Sequence, residues 1–413
     1  MPDKILQTSN FKHLASRPEI SVLAGSATAM RAKELLGDAK KIVLLTKCRY
    51  MGDTLVATPF MAQLRQHFPD AEITLITAPS VAAALENSPD IDHVIPLEMR
   101  GVARWRYCRE LYENLRKGQY DAAFLLDRSL RCAVIAAMAG IPVRVGYLNE
   151  HRRPFLTVPI PYSFNRHEVD CHLDMLRAVG LEAEDSLPIL WVQEEEREQA
   201  RQELNSAFPS NDVTSGSLVG VQPGANDAEI REWGAERYAL VADKLIAETG
   251  CQIVIMGGAA EVETASRMQS AMRNPSLNMT GKLKLRSAIA AIGLCDYWIG
   301  NDTGLLHAAV SQGVSSVGLF GPNKVVRWGY DTMKHRSLVV FPTTPALDDT
   351  TVRQCLDAIT EDQVLESVFS LMDPDGCDID IPFNALEDLT PVPRSPYFRS
   401  ELAPAFSSPT RRR

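Results

Sequence analysis

From residue 41 the chain repeats one pattern, a short apolar or β-branched run followed by a longer stretch with helical spacing. The runs are "KIVLLT", "EITLIT", "DHVIPL", "DAAFLLD" and "VRVGY", separated by stretches such as "ATPFMAQLRQHF" and "ELYENLRKG". Strands that alternate with helices imply a parallel sheet covered on both faces. The pattern breaks at residues 185–215, "QEEEREQARQELNSAFPSNDVTSGS" within it being a charged helix and then a polar loop. It then restarts with "SLVGVQPG", "ERYALVADKLIAETG", "CQIVIMGG", "AIAAIGLC", "DYWIGND", "TGLLHAAVSQG" and "SSVGLFG". The expected fold is therefore α/β, two doubly wound lobes facing a central cleft. Before them "TAMRAKELLGDAK" reads as an amphipathic helix with Met30, Leu35 and Leu36 on its apolar side. After about residue 373 the chain is rich in Pro, Ser and charge without periodicity, which predicts a partly ordered tail. The division expected is an N-terminal extension (1–40), a first lobe (41–190), a second lobe (191–372) and a tail (373–413).

Composition narrows this only a little. A chain of 413 residues exceeds the roughly 250 at which single cores stop growing, in keeping with two lobes. Basic residues number 43 against 52 acidic, so a wide nucleic-acid footprint is not expected. The eight cysteines show no metal-ligand spacing and read as reduced, hence as cytoplasmic. No apolar stretch reaches the ~20 residues that span a bilayer, which leaves contact with a membrane surface open.

In a parallel α/β lobe, ligands bind beyond the carboxyl ends of the strands, next to the helices that follow. Four loops carry chemistry there. In "KCRYMGDTLVATP", Gly52 permits a tight turn and Asp53 opens the next helix, with Thr54 and Thr58 as caps. Asp53 is either a helix cap or a reacting carboxylate. In "WIGNDTGLLHAAVSQG", Asn301, Asp302, Thr303 and Gly304 offer backbone N–H groups to an anion such as phosphate. His307 follows one turn later on the face of Thr303, as a ligand contact or a core residue. In "VQPGANDAEIREWG", Gly224 and Ala225 keep the loop small and Arg231 is its cation, either beside a diphosphate or paired with Glu229 or Glu232. In "IMGGAAE", Gly257 and Gly258 bring Glu261 to the same edge, where a carboxylate suits a ribose diol. "LFGP" ends a further strand at Gly321 and Pro322.

No GxGxxG follows a strand and no GxxxxGK[ST] is present, which removes the nicotinamide fingerprint and the P-loop. The acidic "DID" at Asp378–Asp380 lies in the tail, not after a core strand, and is not expected to hold a metal.

The order strand-"GD"-"L..TP", then "PG", "R.W", "GG..E", "G.L.L", "GNDTG..H" and "LFGP", over about residues 41–335, resembles glycosyltransferase family nine, the ADP-heptose heptosyltransferases of lipopolysaccharide synthesis. The resemblance implies a GT-B enzyme, inverting and metal-independent. It places the nucleotide sugar in the second lobe and a glycan or glycolipid acceptor in the first. It gives Asp53 the role of catalytic base, puts Asp302, Thr303, Gly304 and His307 on the diphosphate with Arg231 and Gly224 nearby, and assigns Glu261 to the ribose and Leu283 to the adenine edge. It implies no cofactor beyond the donor, ADP-heptose, and work in the cytoplasm, with peripheral contact at the inner membrane face. Where the family often has a lysine two residues before the tryptophan of the third loop, this chain has Arg231. Transfer from another nucleotide sugar or to a small-molecule or protein acceptor, a sugar-nucleotide epimerase, and a nucleotide-sugar-binding protein without catalysis are the competing readings.

Overall fold

The computed structural model describes residues 27–46, 51–98, 104–149, 151–208, 216–225, 228–342 and 348–373. Six strands form the first sheet: β1 (Lys41–Leu45), β2 (Glu72–Thr77), β3 (His93–Pro96), β4 (Ala122–Leu125), β5 (Val143–Leu148) and β6 (Val158–Pro161). Six more form the second: β7 (Leu218–Gln222), β8 (Gln252–Ile255), β9 (Leu277–Asn278), β10 (Tyr297–Asn301), β11 (Ser315–Leu319) and β12 (His335–Leu338). The orders are β3-β2-β1-β4-β5-β6 and β12-β11-β10-β7-β8-β9, parallel throughout. Each order reverses beside its first strand, between β1 and β4 and between β7 and β10. Such a switch point opens a crevice at the carboxyl edge, because neighbouring connections leave to opposite faces. Both sheets are the doubly wound α/β architecture read from the sequence, one in each of two lobes.

The apolar runs become central strands because burial on both faces asks for an unbroken apolar run, and Ile42 to Leu45 and Val219 to Val221 are buried to the last residue. Three strands gave no such run. β6 carries two prolines at the sheet edge, β9 has two residues, and β12 reads "HRSL". The first helix, Ala27–Gly37, corrects an expectation. Ala32 and Leu36 face the core, whereas Met30 and Leu35 are exposed, because the packed stripe runs through i and i+4 from Ala32. The threonine caps also fail. Thr58 donates to Leu55 O (2.7 Å) and accepts from Ile189 N–H (2.8 Å), and the helix Thr58–His67 has no side-chain cap. Thr54 is buried, and its hydroxyl has no hydrogen-bond partner among the described residues.

Facing sides of the two sheets share one continuous core, in which Phe60, Leu64 and Phe124 of the first lobe join Trp298, Leu306 and Phe320 of the second. An extended crossover leads to the charged helix Glu194–Ala207, which lays Ala200 and Leu204 against the helix Leu285–Ile292 of the second lobe. Behind the cleft Arg286 ties four segments together. Its guanidinium donates to Glu196 (2.5 and 2.7 Å), to Ala84 O of the first lobe (2.8 Å) and to Trp191 O of the crossover (2.8 Å), while Asn87 also donates to Glu196 (3.0 Å). The six cysteines that the structure describes are free thiols. The tail with "DID" and Asn226 and Asp227 lie outside the described residues.

Candidate active site

The two glycine-acid turns singled out in the sequence meet across the cleft. Gly52 and Asp53 lie in the helix Met51–Leu55 beyond β1, and Asp302 and Thr303 lead from β10 into the helix Gly304–Ser311. A Cβ built on Gly52 would stand 2.6 Å from His307 Cδ2 and 3.6 Å from Gly304 Cα. One on Gly304 would meet Met51 Cβ at 3.3 Å. Only paired glycines allow the lobes to approach this closely, and that approach carries Asp53 to the N-terminal end of the second-lobe helix.

Charge is concentrated there. Burial raises the Asp53 carboxyl above its ordinary range; Arg327, Lys324 and Arg231 oppose this, and Asp302 adds to it. Asp302 is likewise raised by burial, with Arg231 and Lys324 acting against it. The core thus brings two carboxylates into one another's field although no acidic pair is visible in its sequence, and three cations from two loops supply the countercharge. His307 is buried and held neutral, its pKa lowered to about 4 by burial and then by Arg231. Its Nδ1 lies 2.7 Å from the Tyr330 hydroxyl and its Nε2 3.9 Å from Asp302. When Tyr330 donates to Nδ1, Nε2 carries the proton into the cleft.

Thr303 and His307 are held by different partners. The Thr303 hydroxyl donates to Gln222 at the end of β7, and Gln222 Nε2 donates to Glu261 (2.9 Å), whose other oxygen accepts from Gly258 N–H (2.5 Å). This row crosses the carboxyl edges of β10, β7 and β8, joining the predicted diphosphate position to the predicted ribose position. Burial raises Glu261, while the Gly258 and Gln222 bonds favour its charged form. Gly224 is small because Glu261 Cβ would stand 2.7 Å from its added Cβ. Asn301, fully buried, fixes the loop between them: it accepts from Trp233 N–H (3.2 Å) and the Tyr238 hydroxyl (2.9 Å) and donates to Pro223 O (3.0 Å). The Asp302 N–H is spent on Leu319 O, so the anion-facing donors begin at the helix itself. Leu283 is half-buried on the far side of this row. Near it Thr280 has a buried hydroxyl with no partner among the described residues, next to Gly257.

Of the two neighbours proposed for Arg231 from sequence, Glu232 is not its partner, and the side chain of Glu229 lies outside the described residues. The Arg231 Nη2 lies 3.7 Å from Asp302 Oδ2, while Glu232 accepts from Ala225 N–H (3.1 Å) and Thr264. Trp233 pins the loop, wholly buried with Nε1 donating to Ile359 O (2.9 Å) and Arg237 stacked 4.2 Å over its ring. Truncating such a side chain costs about 3–5 kcal/mol, so the backbone two residues beyond Arg231 is firmly anchored. Sequence reasoning missed Lys324 and Arg327. Their signal was two cations in "GPNKVVRW", immediately beyond β11. Arg327 crosses to the first lobe, donating to Glu168 and to the Tyr162 hydroxyl (2.6 Å). Arg128 stacks over Tyr162 (4.6 Å) and Phe164 (5.0 Å) on the same wall. Gln222 and Tyr330 were also missed, because only the tertiary fold gives them partners.

Residues 108–356 match the profile of glycosyltransferase family 9 (heptosyltransferase). The chain belongs to this family. As a family 9 glycosyltransferase it is 27% identical over 353 residues to lipopolysaccharide heptosyltransferase 2 of Salmonella typhimurium, covering 81% of this chain and 99% of the relative. The Escherichia coli K12 protein of the same name is 26% identical over 294 residues, 68% of this chain and 83% of that one. Among solved structures, a family 9 glycosyltransferase from Veillonella parvula superposes with a TM-score of 0.70 at 26% identity, covering 81% of this chain and 97% of that chain. The E. coli ADP-heptose lipopolysaccharide heptosyltransferase II shares the fold at a TM-score of 0.67 and 24% identity, covering 82% and 100%. Membership in a glycosyltransferase family displaces the epimerase and the non-catalytic binding protein. Among the described residues no helix is long and apolar enough to cross a membrane, and no cluster of three or more His, Cys, Asp or Glu is placed to hold a metal ion.

Proposed function

We propose that this enzyme transfers heptose from ADP-heptose to a lipopolysaccharide-core glycan, with inversion at the anomeric carbon and without a metal. One observation carries the reading: Asp53 of the first lobe lies against the helix start of the second, beside Asp302, His307 and Arg231. Names of the curated relatives support the sugar and the acceptor class.

In this reading the diphosphate lies at the start of Gly304–Ser311, where the backbone N–H groups and the helix dipole favour negative charge. Gln222 and Glu261 reach the ribose and Leu283 the adenine. The acceptor hydroxyl comes from the first-lobe side and loses its proton to Asp53 as its oxygen bonds to the anomeric carbon. The bond from that carbon to the diphosphate breaks on the opposite face, and ADP leaves with the electron pair. Burial makes the Asp53 carboxylate a stronger base, and Arg327 and Lys324 keep it charged. Arg231, the helix N–H groups and the Nε2–H of neutral His307 stabilise the departing ADP. A glycolipid acceptor would be met at the inner membrane face, where Trp105, 65% exposed between Arg104 and Arg106, suits an interfacial contact.

The test is Asp53→Asn assayed with ADP-heptose and a heptose-deficient lipopolysaccharide core. Transfer should fall by about 10³-fold or more while ADP-heptose affinity stays within about threefold, since the group acts on the acceptor proton. Near wild-type turnover would remove Asp53 from the base role. Retained anomeric configuration in the product, read by NMR, would remove direct displacement.

A further inference from the structure

The carboxyl edge of the second sheet is a ruler. Its strand order places β8, β7, β10 and β11 side by side. Glu261 stands beyond β8, Gln222 ends β7, Asp302 follows β10, and the loop after β11 carries Lys324. Lys324 lines a small, partly open pocket together with Arg231, Asp302, Asn323 and an apolar floor that includes Leu319 and Val352. Two cations and one carboxylate leave this pocket with an excess of positive charge. Arg231 has Asp302 at 3.7 Å, and none of the ion pairs among the described residues uses Lys324. Its backbone is fixed, with Lys324 N–H donating to Gly321 O (3.1 Å) and its carbonyl accepting from Arg327 and Trp328 N–H (3.0 Å each). An ammonium held half-buried on a rigid turn, in the field of Asp53 and Asp302 but in an ion pair with neither, is suited to an anionic ligand.

We infer that Lys324 is a second cation of the donor site, opposite Arg231, and that it grips the sugar-side phosphate of the diphosphate. The inference rests on the donor reading above. It follows from position. The nucleoside contacts fall over β8 and β7, so the phosphate nearer the sugar falls towards β10 and β11, on the side that faces Asp53. Lys324 therefore touches the group on which charge grows as the glycosidic bond breaks. A compact ammonium also supplies a point charge that the planar Arg231 fork does not.

AMP, which lacks that phosphate, separates the possibilities. Calorimetric titration of the full chain with ADP and with AMP should show Lys324→Gln weakening ADP about tenfold, the order of one charge-assisted contact, with AMP changed by less than about twofold. Lys324→Arg should recover most of the ADP affinity. Unchanged ADP affinity in Lys324→Gln, with wild-type protein that binds ADP, would overturn the inference and leave the donor reading standing. Equal weakening of AMP and ADP would overturn it as well, since the lysine would then act on the nucleoside or the fold. Wild-type protein that binds no ADP would overturn the donor reading itself, and this assignment with it.

Discussion

Gly52→Ala tests whether the contact between the lobes belongs to the enzyme that turns over. The new methyl carbon would stand 2.6 Å from His307 Cδ2 and 3.2 Å from Nε2, where carbon atoms rest at about 3.5–4.0 Å. Something must yield by about 1 Å. His307 is poorly placed to do so, being 3% exposed and 2.7 Å from the Tyr330 hydroxyl, with Tyr330 itself tied to Ser337 at 2.8 and 2.9 Å. The strain is relieved most cheaply by parting the lobes. Overpacking of this kind costs about 1–3 kcal/mol, and at about 1.4 kcal/mol per factor of ten the rate through the closed state falls about 5- to 150-fold. Initial rates at saturating donor and acceptor should show that loss in kcat. Titration with ADP should give an affinity within about threefold of wild type, because the predicted donor contacts all lie on the second lobe. Wild-type kcat would refute the reasoning, since the cleft would then react without the Gly52–His307 contact. A loss of ADP affinity as large as the loss of kcat would place the strain inside the second lobe instead.

Arg231→Ala should weaken ADP-sugar binding and slow ADP departure, and Arg231→Lys should restore part of both; full activity in the alanine variant would leave Arg231 as a partner of Asp302 only. Activity should survive EDTA, because cations and helix N–H groups supply the countercharge; loss restored by Mg²⁺ or Mn²⁺ would count against metal-independence. Acid should destabilise the fold through buried neutral histidines, His307 and His335 at about 4 and His167 and His172 at about 3, lowered chiefly by burial. Between the ordinary value of about 6.5 and these lowered values the unfolded chain binds more protons. Stability is therefore present above about pH 6.5 and is lost as pH falls, by about 1.4 kcal/mol per pH unit for each histidine. Melting temperatures measured from pH 7 to pH 5 should fall, and a flat profile would contradict neutral burial.

The sequence by itself determined the layered fold and the edge where the chemistry sits. Strand alternation is local: residues 42–45 or 219–221 must be apolar because both faces of a parallel sheet are covered, and that requirement is written into consecutive positions. For the same reason Gly52–Asp53 and Asp302–Gly304 were legible as loops at strand ends. Strands held by their neighbours rather than by their own composition were not legible, as in the two residues of β9 or the polar "HRSL" of β12. The face of the first helix was misread because Met30 and Leu35 are hydrophobic but point away from the sheet. The tertiary structure alone brings together residues far apart in the chain. Gly52 lies on His307, Arg327 reaches Glu168, and Arg231 faces Asp302 rather than its neighbour Glu232. Periodicity reports which side of an element is apolar, while partners such as these are chosen by strand order and by how closely two lobes can pack, and neither leaves a local trace in the chain.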